Sequence, residues 1–307
     1  MPEKMEYTVL PGEDGRRVGS IIRQSMSVSY TALKNAKWNG RILLNGDPVF
    51  VDAVARAGDT VTVIRGGAAP AYTPKPYELP LKIPYRDGYL TVVDKDAPLA
   101  SQSGAGHPDD SLENAFYSYL GCPEDFVYRP VNRLDRGTGG LMVIAETAHA
   151  QQLLQRQLHT PDFERLYLAL TEGIPPEKAG RLTFPIAKAP GATVKRVVSP
   201  DGKPCETLYR VLGTEGNRAA VLLKLLTGRT HQIRVHLSAI GCPVCGDFLY
   251  GTELPPEFPE RFALHSAALR LKHPGTGETL CFFSVPAWAE AYAPRLTEEA
   301  FGGWDMP

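Results

Sequence analysis

Apolar residues recur along this chain in short segments whose spacing marks most of its elements. Val18, Ile21 and Ile22 share one face of a predicted helix over Val18–Arg23. Leu33 and Ala36 do the same for a second helix over Ser29–Trp38, with Ser27 or Ser29 as its cap. Arg41 to Val51 then reads as a hairpin turned at Asn45-Gly46, and Thr60 to Ile64 as an alternating strand. The next stretch is rich in Gly, Ala and Pro, a linker composition. The expected organisation is a small unit at 1–66, a linker at 67–82 and a larger unit at 83–307.

In the larger unit the pattern predicts strands at Leu90–Val93, Leu141–Ala145 and Leu166–Leu170, and later at Leu208–Leu212, Ala219–Leu226 and Ile233–Leu237. The last of these would turn Ile233, Val235 and Leu237 to one side, Arg234 and His236 to the other. Helices are expected at Ser111–Leu120, capped by Asp110 or Ser111, and at Ala148–Leu158. Many strands without regular β-α alternation argue for an α+β fold. Its central sheet would be mixed and largely antiparallel, flanked by helices, with the small α+β unit in front.

Composition narrows the function. The chain has 307 residues, 43% of them hydrophobic and 22% charged, with a formal net charge of −1. Those are the proportions of an ordinary globular protein, and phosphate binding has to come from local basic clusters. No apolar run approaches the roughly 20 residues that span a bilayer, and the N-terminus has no basic segment followed by an apolar stretch. A cytoplasmic protein with no membrane contact is therefore expected. No glycine-rich nucleotide loop follows a strand, which argues against nicotinamide or nucleoside-triphosphate chemistry. Cys242-Pro-Val-Cys245 has C-x-x-C spacing but no second ligand pair, so neither a metal nor another cofactor is expected, and two buried thiols are the better reading.

The densest chemistry lies in Pro130-Val-Asn-Arg133-Leu-Asp135-Arg136-Gly-Thr138-Gly-Gly140. Arg129, Arg133 and Arg136 surround one carboxylate, and by itself this pattern fits either a salt-bridged loop or a functional acid with phosphate-binding neighbours. A second cluster, Thr227-Gly-Arg229-Thr-His231-Gln-Ile-Arg234, supplies cations able to partner that lone acid. The first unit holds a basic set of Arg16, Arg17, Arg23, Lys34, Lys37 and Arg41.

Asn132-Arg133-Leu134-Asp135-x-x-Thr138-x-Gly140 resembles the H-R-L-D-x-x-T-S-G signature of the RluA-type RNA pseudouridine synthases. Arg165-Leu-Tyr167, Thr227 to Arg234 with Gly241-x-Pro-x-x-Gly-Asp247, and Leu264-His265-Ser266-Ala267 with His273-Pro274 match in the same order. The likeness runs over residues 83 to 288. The first unit is similar to an S4 RNA-binding domain in its element order and in Gly40 to Gly46 followed by Ala57-Gly-Asp-Thr-Val61.

The resemblance implies that Asp135 is the catalytic aspartate, that Tyr167 stacks beneath the target base and that Arg234 pairs with Asp135. Arg133 would fill the gap left by a flipped uridine. Arg136, Arg229 and Lys95, with Arg16, Arg17, Lys34, Lys37 and Arg41 of the first unit, would bind RNA. Ribosomal RNA is favoured over transfer RNA, and a monomer is expected. The alternative is a ribosome-associated RNA-binding protein that keeps the fold and has lost catalysis; Asp135, Tyr167 and Arg234 are all retained, which weighs against it. Asn132 and Gly139 depart from the signature's His and Ser, and the turn after Lys95 differs from the family's N-K-P-x-G. His231, His236 and His265 are read as structural, and the basic stretch Lys188 to Lys203 as either an RNA contact or solvated surface.

Overall fold

The computed structural model describes residues 3–26, 28, 33, 42–65, 73–104, 106–158, 160–252, 255–258, 261–293 and 296–304. Two compact units divide the chain, Met1–Tyr72 and Thr73–Pro307.

In the first unit β1 (Glu3–Thr8), β2 (Ile42–Leu44), β3 (Asp47–Pro48) and β4 (Thr60–Arg65) form an antiparallel sheet in the order β1-β4-β2-β3. The Asn45-Gly46 turn has φ of 52° and 93°, the positive pair that a tight hairpin of this twist needs. Helix α1 (Val18–Gln24) packs Val18, Ile21 and Ile22 against Val61 and Val63 of β4. The alternation of β4 thus closes a small core of its own. The helix expected at Ser29–Trp38, apart from Leu33, lies outside the described residues, as do Lys34, Lys37 and Arg41.

The second unit is built on nine strands. These are β5 (Lys82–Arg86), β6 (Leu90–Lys95), β7 (Gly139–Ala145), β8 (Phe163–Glu172), β9 (Ala179–Leu182), β12 (Thr207–Glu215), β13 (Arg218–Leu225), β14 (Leu264–Lys272) and β15 (Thr279–Phe283). Their order is β5-β6-β7-β14-β8-β13-β12-β9, with β15 also paired to β14. Only β7 and β14 run parallel among the described strands. The two strands between β9 and β12, β10 (Ile186–Lys188) and β11 (Arg196–Val198), form a separate hairpin.

Alternation along the strands feeds cores on both faces of the sheet. Val93, Met142, Tyr167 and Ala169 face one side, where they meet α2 (Leu112–Tyr119) through Leu112 and Phe116. Leu90, Val92, Leu141 and Val143 face the other, against Ala150 and Leu154 of α3 (Ala148–Gln157). Thr147 caps α3 by accepting from the Ala150 N–H at 3.0 Å, and Ser111 caps α2.

One element differs in kind. Residues Gln232–Ala239, expected to contain a strand, form helix α4. Gln232, Ile233, Arg234, Val235, His236 and Leu237 are all buried, so no polar face survives to display a 3.6-residue period. The alternating β-branched residues then mimic a strand. The helix separates Arg234 from His236, which the strand reading had placed on one face.

Candidate active site

The segment before β7 is fastened at both ends before it presents Asp135. The Asn132 Oδ1 accepts from the Val143 N–H at 2.9 Å, tying the loop back to β7. Ser101 donates from Oγ to the Leu134 carbonyl at 2.6 Å and accepts from the Leu134 N–H at 3.1 Å. The Thr138 N–H then donates to the Asp135 carbonyl at 3.0 Å, closing a tight turn. Beyond it Gly140 has φ of +104°, and a Cβ there would fall 2.3 Å from the Ser266 carbonyl oxygen of β14. Only glycine lets β7 approach β14 this closely.

Helix α4 brings Arg234 up to that turn. Its Nη1 donates to Asp135 Oδ2 at 2.9 Å, while Nε and Nη2 donate to the two oxygens of Asp247 at 2.6 and 2.8 Å. The side chains of Arg234 and Asp247 are 3% and 0% exposed, that of Asp135 27%. Asp135 is thus the solvent-facing end of a buried ion cluster. Rings complete the cage: Phe262 and Tyr250 lie 4.3 and 5.0 Å from the guanidinium carbon. Two carboxylates thus share one guanidinium.

His231 introduces α4 from a left-handed conformation, φ 58°. Its Nδ1 meets the Tyr250 hydroxyl at 2.8 Å, and its Nε2 lies 3.8 Å from Asp135. Burial lowers its pKa, with the opposing pull of Asp135 second. Tyr167, at the middle of β8, is buried on the same cleft, and burial raises its phenol above the ordinary tyrosine value, so it stays protonated at neutral pH.

A cleft of about 560 Å³ opens over these groups. Arg133, Arg136, Arg165 and Arg229 line it, with Tyr167 and His231, and Asp135 is the one acid among the described lining residues. Arg133, Arg136 and Arg229 are exposed. The backbone N–H of Arg229 donates to Gln232 Oε1 at 2.9 Å, which shapes the entry to α4. A neighbouring hollow of about 500 Å³ shares Gly228, Arg229 and Thr230 with the cleft and adds Lys188, Arg196 and Lys203 from the β10–β11 hairpin and the chain after it.

Lys95 is not where an RNA contact would be. It is 1% exposed, and its Nζ donates to the carbonyls of Leu99, Asp96 and Arg136 at 2.8, 3.3 and 3.4 Å. Burial pushes its pKa down to about 7, countered chiefly by Asp135. One of those carbonyls, that of Arg136, belongs to the loop that carries Asp135. In the first unit Arg16 pairs with Glu13 at 3.5 Å and bonds Gln24, while Arg17 is exposed at the head of α1.

His236 and His265 sit in hydrogen-bonded niches. His236 contacts Thr207 Oγ1 at 3.0 Å and the Phe184 carbonyl at 2.9 Å, and His265 contacts Ser284 Oγ at 2.8 Å. Cys242 and Cys245 are buried thiols. Asp247, Phe262, Tyr250 and Ser101 were not singled out from sequence. Asp247 stood in a recognised motif, but with one arginine and two acids in reach the pairing needed coordinates.

A family model described as RNA pseudouridylate synthase matches residues 89–239. The chain is 33% identical over 284 residues to the ribosomal large subunit pseudouridine synthase D of Xanthomonas campestris, covering 87% of this chain and 84% of that one. It is 32% identical over 313 residues to the protein of the same name from Vibrio cholerae, covering 97% and 96%. The solved structure of human RNA pseudouridylate synthase domain containing 1 superposes with a TM-score of 0.57 at 27% identity, over 70% of this chain and 87% of that one.

Proposed function

From the premise that this chain belongs to the RNA pseudouridylate synthase family, and so isomerises uridine to pseudouridine in RNA, we propose that its substrate is ribosomal RNA and that Asp135 carries the reaction. The observation that carries the second part is the 2.9 Å bond from Arg234 Nη1 to an otherwise solvent-facing carboxylate, the one acid among the described residues of its cleft. Hydrolytic cleavage of a glycoside ordinarily uses two carboxyl groups and a water. An isomerisation that returns the same base to the same sugar needs neither a second acid nor an activated water.

Asp135 acts at the ribose, by attack at C1′ or removal of the C2′ proton. The N1–C1′ bond breaks with its electron pair leaving on the uracil. The ring turns and C5 bonds to C1′ as the Asp135–C1′ bond breaks or, on the second route, as Asp135 returns the proton to C2′; the C5 proton is then lost and N1 gains one. Tyr167 supports the base from below, and Arg133 at the cleft mouth fills the space the flipped nucleotide leaves. The cationic surface continuing from Arg229 to Lys188, Arg196 and Lys203 suits the phosphates on either side. The first unit, as an S4-like domain, adds sequence-independent affinity. The protein works as a cytoplasmic monomer.

Support for the ribosomal substrate comes from the names of the two bacterial relatives, matched over 84% and 96% of their length. Pseudouridine mapping of total RNA from cells with and without the protein is the test. Sites that vanish from ribosomal RNA are expected; sites lost from transfer RNA alone would overturn the substrate. Asp135→Ala should abolish product while RNA binding persists.

A further inference from the structure

Arg165 is a buried cation with no ion-pair partner among the described residues. It is 5% exposed, and its Nε is a buried donor with no hydrogen-bond partner among the described residues. No acid pairs with it among those residues either, and the Phe163 ring lies 5.9 Å from the guanidinium carbon. The acids nearby are committed. Glu164, on the opposite face of β8, is held by Lys224 and Arg270, and Asp135 is held by Arg234. A guanidinium taken from water without a partner is costly, and native proteins rarely keep one without a use.

Its place suggests the use. Arg165 and Tyr167 are two residues apart on β8 and so point to the same face of the sheet, and both line the cleft that holds Asp135. Arg133, Arg136 and Arg229 are exposed and suit phosphates, whereas Arg165 lies on the floor beside the tyrosine under the base. When N1–C1′ breaks, the bonding pair moves onto the uracil and spreads over N1, O2 and O4. A fixed cationic donor in a dry site is most effective where charge appears only as the reaction proceeds. We propose that Arg165 is a catalytic residue that donates to the uracil anion as it leaves the ribose, and that its unanswered charge is the preorganised counterpart of that anion.

The assignment rests on the reading of this cleft as the one in which Asp135 breaks the glycosidic bond. It holds for either role of Asp135, since both routes release the base as an anion. No proton needs to move from Arg165, so the chemistry balances as written above.

The test is single-turnover pseudouridine formation on ribosomal RNA transcripts with Arg165→Gln and Arg165→Met. Asp135→Asn is run alongside. The expected loss is about 10²- to 10³-fold in rate, the range for removing one donor to a developing anion, with RNA affinity within about threefold of wild type. The loss should shrink on transcripts whose target base is 5-fluorouracil, since that anion is intrinsically more stable and glycosidic cleavage needs less help. It is read there as disappearance of the N1-linked target nucleoside, because fluorine leaves no C5 proton to release. Arg165→Met should unfold no more easily than wild type, since it removes an unpaired buried charge. An unchanged rate, an equal loss on both bases, or a loss confined to affinity, as for a phosphate contact, would each overturn the proposal. If Asp135→Asn retains activity, the reading of Asp135 fails instead; if it is inactive while Arg165→Gln is fully active, only the role of Arg165 falls.

Discussion

Arg234 gives two donors to Asp247 and one to Asp135, and the asymmetry orders their contributions to stability. Asp247 is wholly buried, so Asp247→Ala strands most of a guanidinium that is itself 3% exposed. Breaking a buried pair in this way costs about 3–5 kcal/mol. Asp135→Ala leaves Arg234 paired and removes a partly solvated carboxylate, which should cost no more than about 1 kcal/mol. Urea unfolding of the two variants measures the difference. Equal losses would mean that the guanidinium is anchored by something other than Asp247.

The two glycines that open β7 should respond differently to the same change. At Gly140 an added methyl meets the Ser266 backbone at 2.3 Å, and the backbone sits at φ +104°. Strain and overpacking together put the expected loss for Gly140→Ala at about 2–5 kcal/mol. At Gly139 the nearest atom is His265 Nδ1 at 3.0 Å, with no left-handed backbone to strain. Gly139→Ala should therefore cost clearly less. Denaturant midpoints in the reverse order would show that the close approach of β7 to β14 is not what fixes this loop.

The same region shows what a sequence can and cannot disclose. Asp135, Tyr167 and Arg234 lie far apart in the chain, yet their local motifs were distinct enough to be read separately, and the fold brings them to one cleft. The strand-rich, largely antiparallel sheet was legible because its central strands β7 and β8, buried on both faces, stand out as short apolar runs without regular β-α alternation. Helix α4 was not, because a helix buried on every side loses its period. Lys95 misled for a related reason. A lysine at the end of a strand ordinarily reaches solvent, and the carbonyls that hold this one belong to Asp96 and Leu99 just beyond it and to Arg136, 41 residues on.

Acid should destabilise the fold through His265. Burial, then the charge of Lys95, holds its pKa at about 4, below the unfolded value of about 6.5. Between those values the unfolded chain binds a proton that the folded chain refuses, so stability falls as pH drops from about 6.5 to about 4. A shift of that size corresponds to about 3 kcal/mol in all. Ser284 Oγ lies 2.8 Å and the Asp94 carboxylate 4.0 Å from the ring, and burial pushes the Asp94 carboxyl up. His265→Gln keeps a donor toward Ser284 but cannot titrate, so its acid limb should be flatter than that of wild type. Parallel stability curves for the two proteins from pH 4 to 7 would remove His265 as the cause.

The first unit should be separable from catalysis but not from affinity. Residues 1–72 and 73–307 form distinct compact units with separate apolar cores, so a chain beginning at Thr73 is expected to fold. If the first unit is an S4-like domain, its exposed cations sit on phosphates. Removing it then weakens RNA binding and makes the slope of log K against log salt shallower. The change is about 0.9 for each duplex phosphate no longer neutralised, or about 0.7 for a single strand. At saturating RNA the rate of pseudouridine formation should stay within about threefold of the full chain, because Asp135, Tyr167 and Arg234 all belong to the second unit. Titrations at several salt concentrations, paired with single-turnover rates, separate the two effects. Unchanged affinity and an unchanged salt slope would dismiss the first unit as an RNA-binding domain.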